Sequence, residues 1–235
     1  MAATPEKGRI MAEHAASPDR RIEDYALIGD LRTAALVGRD GSIDWLCVPR
    51  FDAPACFAAL LGDAENGRWL VAPRTAPRSV RRRYRGDTLV LDTEFETGTG
   101  RVRLTDFMAL TRERTIELVR IVTGVSGSVP MSLDVRFRFD YGRIVPWVRR
   151  DGGGITAIAG PNGLRLATPV VLTGRAFSTV AEFTIAAGET VPMVLSWFRS
   201  YDPPPPAPDA AALLTDTVDR WRAWSARCTA TGPWR

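Results

Sequence analysis

The sequence predicts an all-β protein made of two antiparallel sheets packed face to face, and two patterns support this fold class. The first is strict alternation, in which Leu133, Val135, Phe137 and Phe139 are separated by single polar residues. Because successive side chains of a strand point to opposite faces, these four apolar groups share one face. The second pattern is the recurrence of turn signals between short apolar segments, with little helical periodicity between them. Many short antiparallel strands are most simply arranged as a sandwich.

Glycine-containing turns divide the predicted strands. We expect tight hairpins at three of these turns, which lie at 39–41, 97–100 and 126–128. Glycine favours such turns because it adopts positive φ without steric cost. The third turn separates two predicted strands at 116–125 and 129–139.

Two segments depart from the strand pattern. Residues 52–61 begin with the potential N-cap Asp52, contain an early proline and good helix formers, and are followed by a glycine. This combination predicts a short inserted helix. Near the C-terminus, a stiff proline-rich linker at 202–208 precedes Asp209, which is suited to cap a helix over 209–235.

The C-terminal helix carries an apolar stripe formed by Leu214, Val218 and Trp221 at helical spacing. Trp221 and Trp224 need a surface to bury them, so we expect them to form an interface with protein that follows residue 235. The chain therefore divides into a disordered leader, a sandwich domain, a linker and a linker helix, at 1–20, 21–201, 202–208 and 209–235.

Composition narrows the function. The 235 residues are 45% hydrophobic and 25% charged, which indicates a globular protein rather than a disordered one. A net charge of +4, from 31 basic and 27 acidic side chains, is too mild to favour nucleic-acid binding. The arginine run at 81–85 is expected to be a solvated or ion-paired strand. No apolar run is long enough for a transmembrane helix or a signal peptide, so we expect a cytoplasmic protein without membrane contact.

Metal and thiol chemistry are not expected. Cys47, Cys56 and Cys228 form no C-x-x-C pair, and His14 is the single histidine. These residues offer neither a zinc ligand set nor a Cys/His nucleophile pair. We therefore expect reduced, packed thiols and no cofactor.

One short stretch, from Asp44 to Asp52, concentrates functional side chains and includes Trp45, Arg50 and Phe51. Aromatic rings cover the C–H face of a sugar while Asp and Arg bond its hydroxyl groups, so this set is typical of a carbohydrate site. The same residues also fit a structural role, with Trp45 in the core and Arg50 paired to Asp52. Asp44 and Asp52 can approach to the separation of a hydrolytic carboxylate pair. That spacing does not identify them, because other carboxylate pairs of the chain meet it as well.

A more specific pattern surrounds this stretch. Residues 22–37, Asp40-Gly41-Ser42-Ile43-Asp44-Trp45-Leu46-Cys47 and Pro49-Arg50-Phe51-Asp52 resemble the opening of glycoside hydrolase family 15. More narrowly, they resemble the trehalase-like N-terminal domain of its bacterial and archaeal members. Further matches follow in the same order, at 83–84, 87–91, 102–107 and 139–142.

The resemblance implies a β-supersandwich packed against an (α/α)6 barrel, in an enzyme that hydrolyses α-glucosidic bonds with inversion. It implies two catalytic glutamates, one that protonates the leaving oxygen and one that activates water. Both belong to the barrel, which would begin beyond residue 235. No catalytic residue is therefore assigned to this chain. The α-glucoside, trehalose or a malto-oligosaccharide, would be reached only with the barrel supplied in cis or in trans.

The resemblance also places Trp45, Arg50 and Asp52 near the interface with the barrel, where they would shape the glucose subsite or latch the domains. Trp221 and Trp224 fit the connection that leads out of the domain. We expect the chain to be inactive alone. The alternative is a stand-alone carbohydrate-binding or interaction module that uses the sandwich by itself.

Overall fold

A computed structural model describes residues 21–111, 115–230 and 232, so the expected leader at 1–20 lies outside the described residues. The all-β prediction is confirmed, since these residues form fifteen strands and one α-helix. The strands are β1 (Tyr25–Gly29), β2 (Ala34–Gly38), β3 (Ser42–Cys47), β4 (Ala55–Phe57), β5 (Arg68–Pro73), β6 (Ser79–Tyr84), β7 (Leu91–Glu96), β8 (Gly100–Met108), β9 (Ile116–Arg136), β10 (Trp147–Asp151), β11 (Gly154–Ala159), β12 (Asn162–Ala167), β13 (Thr173–Arg175), β14 (Ser178–Ala186) and β15 (Thr190–Arg199). The helix is α1 (Ala210–Ser225).

The strands form two antiparallel layers. The first layer has the order β1-β2-β3-β5-β9-β14-β13, with β4 beside β3. The second has the order β6-β7-β8-β9-β15-β12-β11-β10. Apolar side chains from both layers, including Trp69, Leu133, Phe95 and Leu195, form one continuous core. The alternating residues from Leu133 to Phe139 are buried, as their spacing predicts.

Strand β9 belongs to both layers. Its first half pairs with β8 and β15, and its second half pairs with β5 and β14. The hairpin expected at 126–128 is therefore wrong, because the strand continues through it. Gly127 has a φ of 68°, and a Cβ there would lie 2.2 Å from the carbonyl oxygen of Thr99. Its positive φ accompanies a close approach between strands and a nearby register shift at Arg101/Val102 rather than a chain reversal.

The short helix expected over 52–61 is also wrong. Residues 55–57 form β4, which pairs with β3, and only a 3-10 turn follows at Ala59–Leu61. Ala55, Cys56, Phe57 and Ala58 are all completely buried. A helix with one apolar face would leave part of such a run exposed, so burial on all sides favours a strand over local helix propensity.

The helix expected after the proline-rich linker is present as α1, but it ends at Ser225, short of the predicted bound at 235. It is capped by Asp209, whose carboxylate accepts from the backbone N–H groups of Ala211 and Ala212. The helix packs on the outer face of the second layer, where Leu213, Leu214 and Val218 contact an apolar cluster that includes Phe107 and Val194. The helix thus has a partner within the chain, contrary to the expectation that its apolar stripe needs another domain. Of its two interface tryptophans, Trp221 is 4% exposed and Trp224 is 52% exposed.

A buried ion pair ties the two layers together. Arg120 on β9 donates to both carboxylate oxygens of Asp106 on β8, at 2.8 and 3.3 Å, and both side chains are fully buried. The same guanidinium donates across the core to the carbonyl oxygens of Trp69 and Gly41, each at 2.6 Å. Burial raises the pKa of Asp106 above its ordinary value, although the attraction of Arg120 opposes this. Arg120 is therefore the polar link between the β2–β3 turn, β5 and the second layer.

Candidate functional site

The candidate site lies at the end of the first layer, where β3 ends and the chain turns toward β4. The side chain of Asp44 is buried in the interior of the layer and is only 2% exposed. Its carboxylate accepts hydrogen bonds from the hydroxyl of Tyr25, at 2.8 Å, and from that of Ser42. Tyr25 begins β1, so Asp44 holds the edge of the layer in place. Both carboxylate oxygens of Asp44 are thus used by hydroxyl groups of this chain, and the side chain is not part of the exposed surface.

Trp45 is half-buried. Its buried side packs on Cys47, Ala55 and Ala58, and its ring lies 6.0 Å from that of Tyr141, centroid to centroid, at an interplanar angle of 39°. Tyr141 follows the end of β9 and is partly exposed. The two rings form an aromatic surface between β3 and the segment that follows β9, and this geometry favours contact with a further ring or an apolar face.

The loop from β3 to β4 presents the remaining residues to solvent. Arg50 donates to both oxygens of Asp52, from Nε at 2.9 Å and from Nη2 at 3.1 Å, in an exposed two-point pair. Between them, Phe51 is 73% exposed, although its backbone N–H donates to the carbonyl oxygen of Arg32 at 3.1 Å. An exposed pair contributes only about 0–1 kcal/mol to stability, so the fold does not require these side chains.

A second loop borders the first. Leu31, in the β1–β2 connection, has a φ of 71° and an exposed side chain. This connection is held by Asp30, whose Oδ1 accepts from the backbone N–H groups of Arg32 and Thr33. We call the exposed residues of both loops, with the two rings, the β3-end surface; it comprises Leu31, Trp45, Arg50, Phe51, Asp52 and Tyr141.

Of the five residues suggested by the sequence, Arg50, Phe51 and Asp52 lie on the exposed loop between β3 and β4. Trp45 lies on β3 beside Tyr141, and Asp44 is buried. Sequence reasoning missed Leu31 and Tyr141 as members of the surface. Tyr141 lies in the matched segment Phe139-Asp140-Tyr141-Gly142, so its position was available, but its contact with Trp45 depends on strand order. The leucine has no sequence signal that distinguishes it from a core residue.

The surface offers ring faces and a guanidinium–carboxylate pair, and no reactive thiol. Burial raises the pKa of both Cys47 and Cys56, which keeps these thiols protonated. Among the described residues, no group of three or more His, Cys, Asp or Glu side chains is placed to hold a metal ion. No helix within the described ranges is both long and apolar enough to cross a membrane. The arrangement is one that packs against an apolar or sugar face.

The fold and this surface define a two-layer antiparallel β-domain with exposed aromatic loops at one end and a helix packed on its second layer. Residues 10–199 match the family of trehalase-like N-terminal domains. The match covers most of the chain, and the chain belongs to that family.

Named relatives agree with this assignment. The trehalase of Mycobacterium tuberculosis is 30% identical over 244 residues, which cover 91% of this chain and 36% of that protein. The trehalase of Mycolicibacterium smegmatis is 30% identical over 242 residues, which cover 90% of this chain and 36% of that protein. The chain thus spans about a third of the length of these relatives. A putative kojibiose phosphorylase from the human microbiome shares 7% identity at a TM-score of 0.33, over 84% of this chain and 23% of that one, and this likeness carries no argument.

Proposed function

We propose that this chain is the non-catalytic N-terminal domain of an inverting α-glucoside hydrolase of glycoside hydrolase family 15. Its substrate would be trehalose or a malto-oligosaccharide. One observation carries the proposal: residues 10–199 match a domain family named for its N-terminal place in trehalase-like proteins, and the chain spans 36% of two trehalases. In such an enzyme the bond-breaking glutamates lie in a helical barrel outside this chain.

The carboxylates of the candidate site support a non-catalytic role. Inverting hydrolysis needs an acid and a base that both face the bound sugar, roughly 6.5–9.5 Å apart. Asp44 is buried and accepts hydrogen bonds from two hydroxyl groups, and both oxygens of Asp52 accept from Arg50. Neither group is arranged as the proton donor or the water-activating base. Catalysis is thus expected only when the barrel is present.

The β3-end surface is the part of the domain that we assign to the barrel interface. Exposed apolar side chains on a folded domain mark contact surfaces, and Leu31 and Phe51 are both largely exposed here. Arg50 and Asp52 are free of any role in the core, so they can hydrogen-bond a glucose hydroxyl or a polar group of the barrel. The surface would then form one wall of the substrate pocket and would hold the sandwich domain against the barrel.

The C-terminal part of the chain would form the connection. We assign 21–201 to the sandwich domain, 202–208 to a proline-rich linker and 209–235 to a connecting segment that contains α1. Helix α1 is already docked on the second layer, so its direction is fixed where it leaves the sandwich. Trp224 stays half-exposed, with its ring 5.7 Å from that of Trp221, and is the tryptophan available to the barrel.

Kinetics of a full-length relative test the wall role. Alanine at the positions that align with Arg50 and Phe51 is expected to lower kcat/KM by about tenfold, because a misplaced pocket wall misorients the substrate. The melting temperature of the 235-residue chain with the same two substitutions should not change, since both side chains are exposed in it. Alanine at the position of Arg81, an exposed residue of β6, is the matched control. An unchanged kcat/KM in both loop variants would rule out the proposal that this surface forms a wall of the substrate pocket.

Calorimetry separates this proposal from the stand-alone module, which the exposed aromatic rings also favour. Titration of the 235-residue chain with trehalose, maltose or glucose is expected to give no saturable heat, because one wall of a pocket does not enclose a sugar. Tight, saturable binding of any of these sugars by the chain alone would favour the stand-alone carbohydrate-binding module instead.

A further inference from the structure

The two open sides of the sandwich are closed differently. On one side, the layers end in β1 and β6. There the hydroxyl of Tyr84 accepts from the backbone N–H of Leu27 at 3.0 Å and donates to its carbonyl oxygen at 2.8 Å. Arg82 also donates to the carbonyl oxygen of Val37 at 3.1 Å. This side is thus sealed by side chains of β6 that bond the backbone of the first layer.

On the other side, where the layers end in β13 and β10, a cleft of about 400 Å³ lies between them. Its apolar lining includes Val135, Phe137, Ile155 and Leu172. Nη2 of Arg150 donates to the carbonyl oxygen of Leu172 at 2.6 Å, beside the cleft. The volume falls within the range of ligand-binding clefts, and the apolar lining makes it a place where burial of further apolar groups is favourable.

Strand β10 forms one rim of this cleft and has a free edge. In the part of the chain that the structure describes, it pairs only with β11. Its first four residues are exposed. An edge strand directs backbone N–H and C=O groups outward, where an extended segment can pair with them.

The register of β10 assigns its two faces. Val148 lies opposite the buried Ala157, so it faces the cleft. Trp147 and Arg149 alternate with it and therefore lie on the outer face. Trp147 is 76% exposed. A segment added to this edge would meet an apolar wall on its inner face and an aromatic and cationic surface on its outer face.

The charge at this rim is positive. Arg150 and Arg175 line the cleft, Arg149 borders it at the rim, and no acidic side chain from the described ranges is part of the lining. The nearest carboxylate of β10, that of Asp151, is bonded to Arg165 at 3.0 and 3.1 Å and to the hydroxyl of Thr156. The surface therefore complements a negatively charged partner.

We propose that the free edge of β10 and the adjoining cleft bind an extended protein segment in which acidic and apolar residues alternate. The segment pairs with the β10 backbone. Its apolar side chains enter the cleft beside Val148 and Leu172, and its carboxylates face Arg149. The site shares no residue with the β3-end surface and does not depend on the function proposed above.

A second copy of the chain is a poor occupant of this edge. In the fully paired antiparallel register, Trp147 would lie opposite Asp151 of the second copy, and the two Arg149 side chains would face each other. Like charges directly opposite each other destabilise a strand pair. Arginine on an edge strand disfavours self-association and leaves the edge to an acidic partner.

Fluorescence anisotropy tests the proposal with the whole 235-residue chain. The probe is a short fluorescein-labelled peptide of alternating glutamate and valine, and the matched probe alternates lysine and valine. We expect saturable binding of the glutamate peptide and much weaker binding of the lysine peptide. Arg149→Glu should weaken glutamate-peptide binding by about tenfold. Arg81→Glu, the same charge change on the exposed face of the other edge strand, β6, should leave it within about twofold.

Amide hydrogen exchange supplies a second measurement, because binding through surface charge alone would not change the exchange rates of the β10 amides. Binding of the glutamate peptide should slow exchange of the outward-facing amides of β10, because they become paired. Four results would overturn the proposal: no saturable binding at millimolar peptide, equal binding of both peptides, an equal loss in both arginine variants, or unprotected β10 amides. A concentration-dependent dimer in sedimentation that Arg149→Glu abolishes would assign the edge to a second copy instead, and would also overturn it. Circular dichroism of each variant checks that it folds.

Discussion

Replacement of Arg120 by methionine is expected to lower the free energy of unfolding by about 4 kcal/mol, since removal of one partner from a buried ion pair costs about 3–5 kcal/mol. Arg120 makes four hydrogen bonds, two to Asp106 and one each to the carbonyl oxygens of Trp69 and Gly41. The methionine fills part of the space but satisfies none of these acceptors. The loss combines a buried unpaired carboxylate with two carbonyl oxygens that lose a charged donor.

A second variant separates these contributions. Arg120→Met combined with Asp106→Leu removes the unpaired carboxylate and takes the guanidinium away from the two carbonyl oxygens. The carbonyl oxygen of Gly41 still accepts from the backbone N–H of Val71 at 3.2 Å. Loss of a buried hydrogen bond to a charged donor costs about 1.5–3 kcal/mol, so the double variant should recover about 2 kcal/mol of the loss but not all of it. Full recovery would mean that the bonds across the core contribute little.

The loss should also depend on pH. Burial already raises the pKa of Asp106, and Arg120→Met removes the attraction that opposes this rise, so the pKa rises further. The folded protein then binds a proton at a pH where the unfolded chain, with an Asp pKa of about 3.9, has released it. Protonation therefore stabilises the folded variant as the pH falls toward about 3.9, and this stabilisation is lost as the pH rises through the folded-state pKa.

Urea unfolding followed by tryptophan fluorescence measures both effects. The deficit of Arg120→Met relative to the parent chain should be smaller at about pH 5 than at about pH 7. A deficit below about 1 kcal/mol at neutral pH would show that the guanidinium is not the link between the layers. A deficit that grows on acidification would contradict the assignment of Asp106 as the uncompensated group.

Four further substitutions test single features of the fold. Tyr84→Phe should lower the free energy of unfolding by about 1–2 kcal/mol in urea titrations and speed amide exchange at the edge of β1, because the hydroxyl bonds that edge twice. Gly41→Ala, at a φ of 85° and with a Cβ that would lie 2.3 Å from a carbonyl oxygen, should cost about 3 kcal/mol. Gly160→Ala, at a φ of 56° with open space around it, should cost about 1–2 kcal/mol. Asp209→Ala should cost about 1 kcal/mol and increase proteolysis within α1, because the cap is lost.

The contradicting results differ between these variants. Equal losses of unfolding free energy for the two glycine substitutions would show that the close approach at Gly41 adds nothing to the cost of placing alanine at a positive φ. Parent-like exchange at the β1 edge in Tyr84→Phe would mean that the edge is held by other contacts. For Asp209→Ala, unchanged proteolysis of α1 would mean that packing on the second layer alone holds the first turn.

Much of the fold was accessible to period-two reasoning because most strands alternate cleanly. Leu133 and Val135 are buried between polar neighbours, and the turns at 39–41 and 97–100 connect adjacent antiparallel strands, as predicted. The exception at 126–128 has a physical reason. A glycine with positive φ is typical of a turn, but Gly127 uses it to pass close to a neighbouring strand, and only the pairing partners distinguish the two cases.

The sequence did contain a signal for the buried ion pair that was not used. In the segments Leu118-Val119-Arg120-Ile121-Val122 and Leu104-Thr105-Asp106-Phe107-Met108, alternate residues face the main core. A charged side chain occupies a core-facing position in each. Two opposite charges at such positions predict a buried pair, because neither is tolerated alone. That they face each other across β8 and β9 follows from the strand register, which sequence spacing does not fix.

The role of the candidate site stays a prediction, but the structure gives the exposure of its residues. Arg50, Phe51 and Asp52 are exposed, whereas Asp44 is buried beneath Tyr25. Regular alternation along β3 does not reveal this, because the register between β2 and β3 shifts at this point. Val37 lies opposite Ile43 and Leu36 lies opposite Trp45, so Asp44 falls between the two pairs. The same reasoning explains α1, whose apolar stripe has its partner on the second layer, a contact that depends on tertiary structure.

The central claim is that this chain carries no catalytic machinery of its own and serves a catalytic domain that makes up the rest of its relatives. The most direct test is glucose release from trehalose and maltose by the purified 235-residue chain, alone and mixed with the separately expressed remainder of a trehalase relative. We predict no release by the chain alone, and more release from the mixture than from the remainder by itself. Hydrolysis of either sugar by the chain alone would contradict the claim.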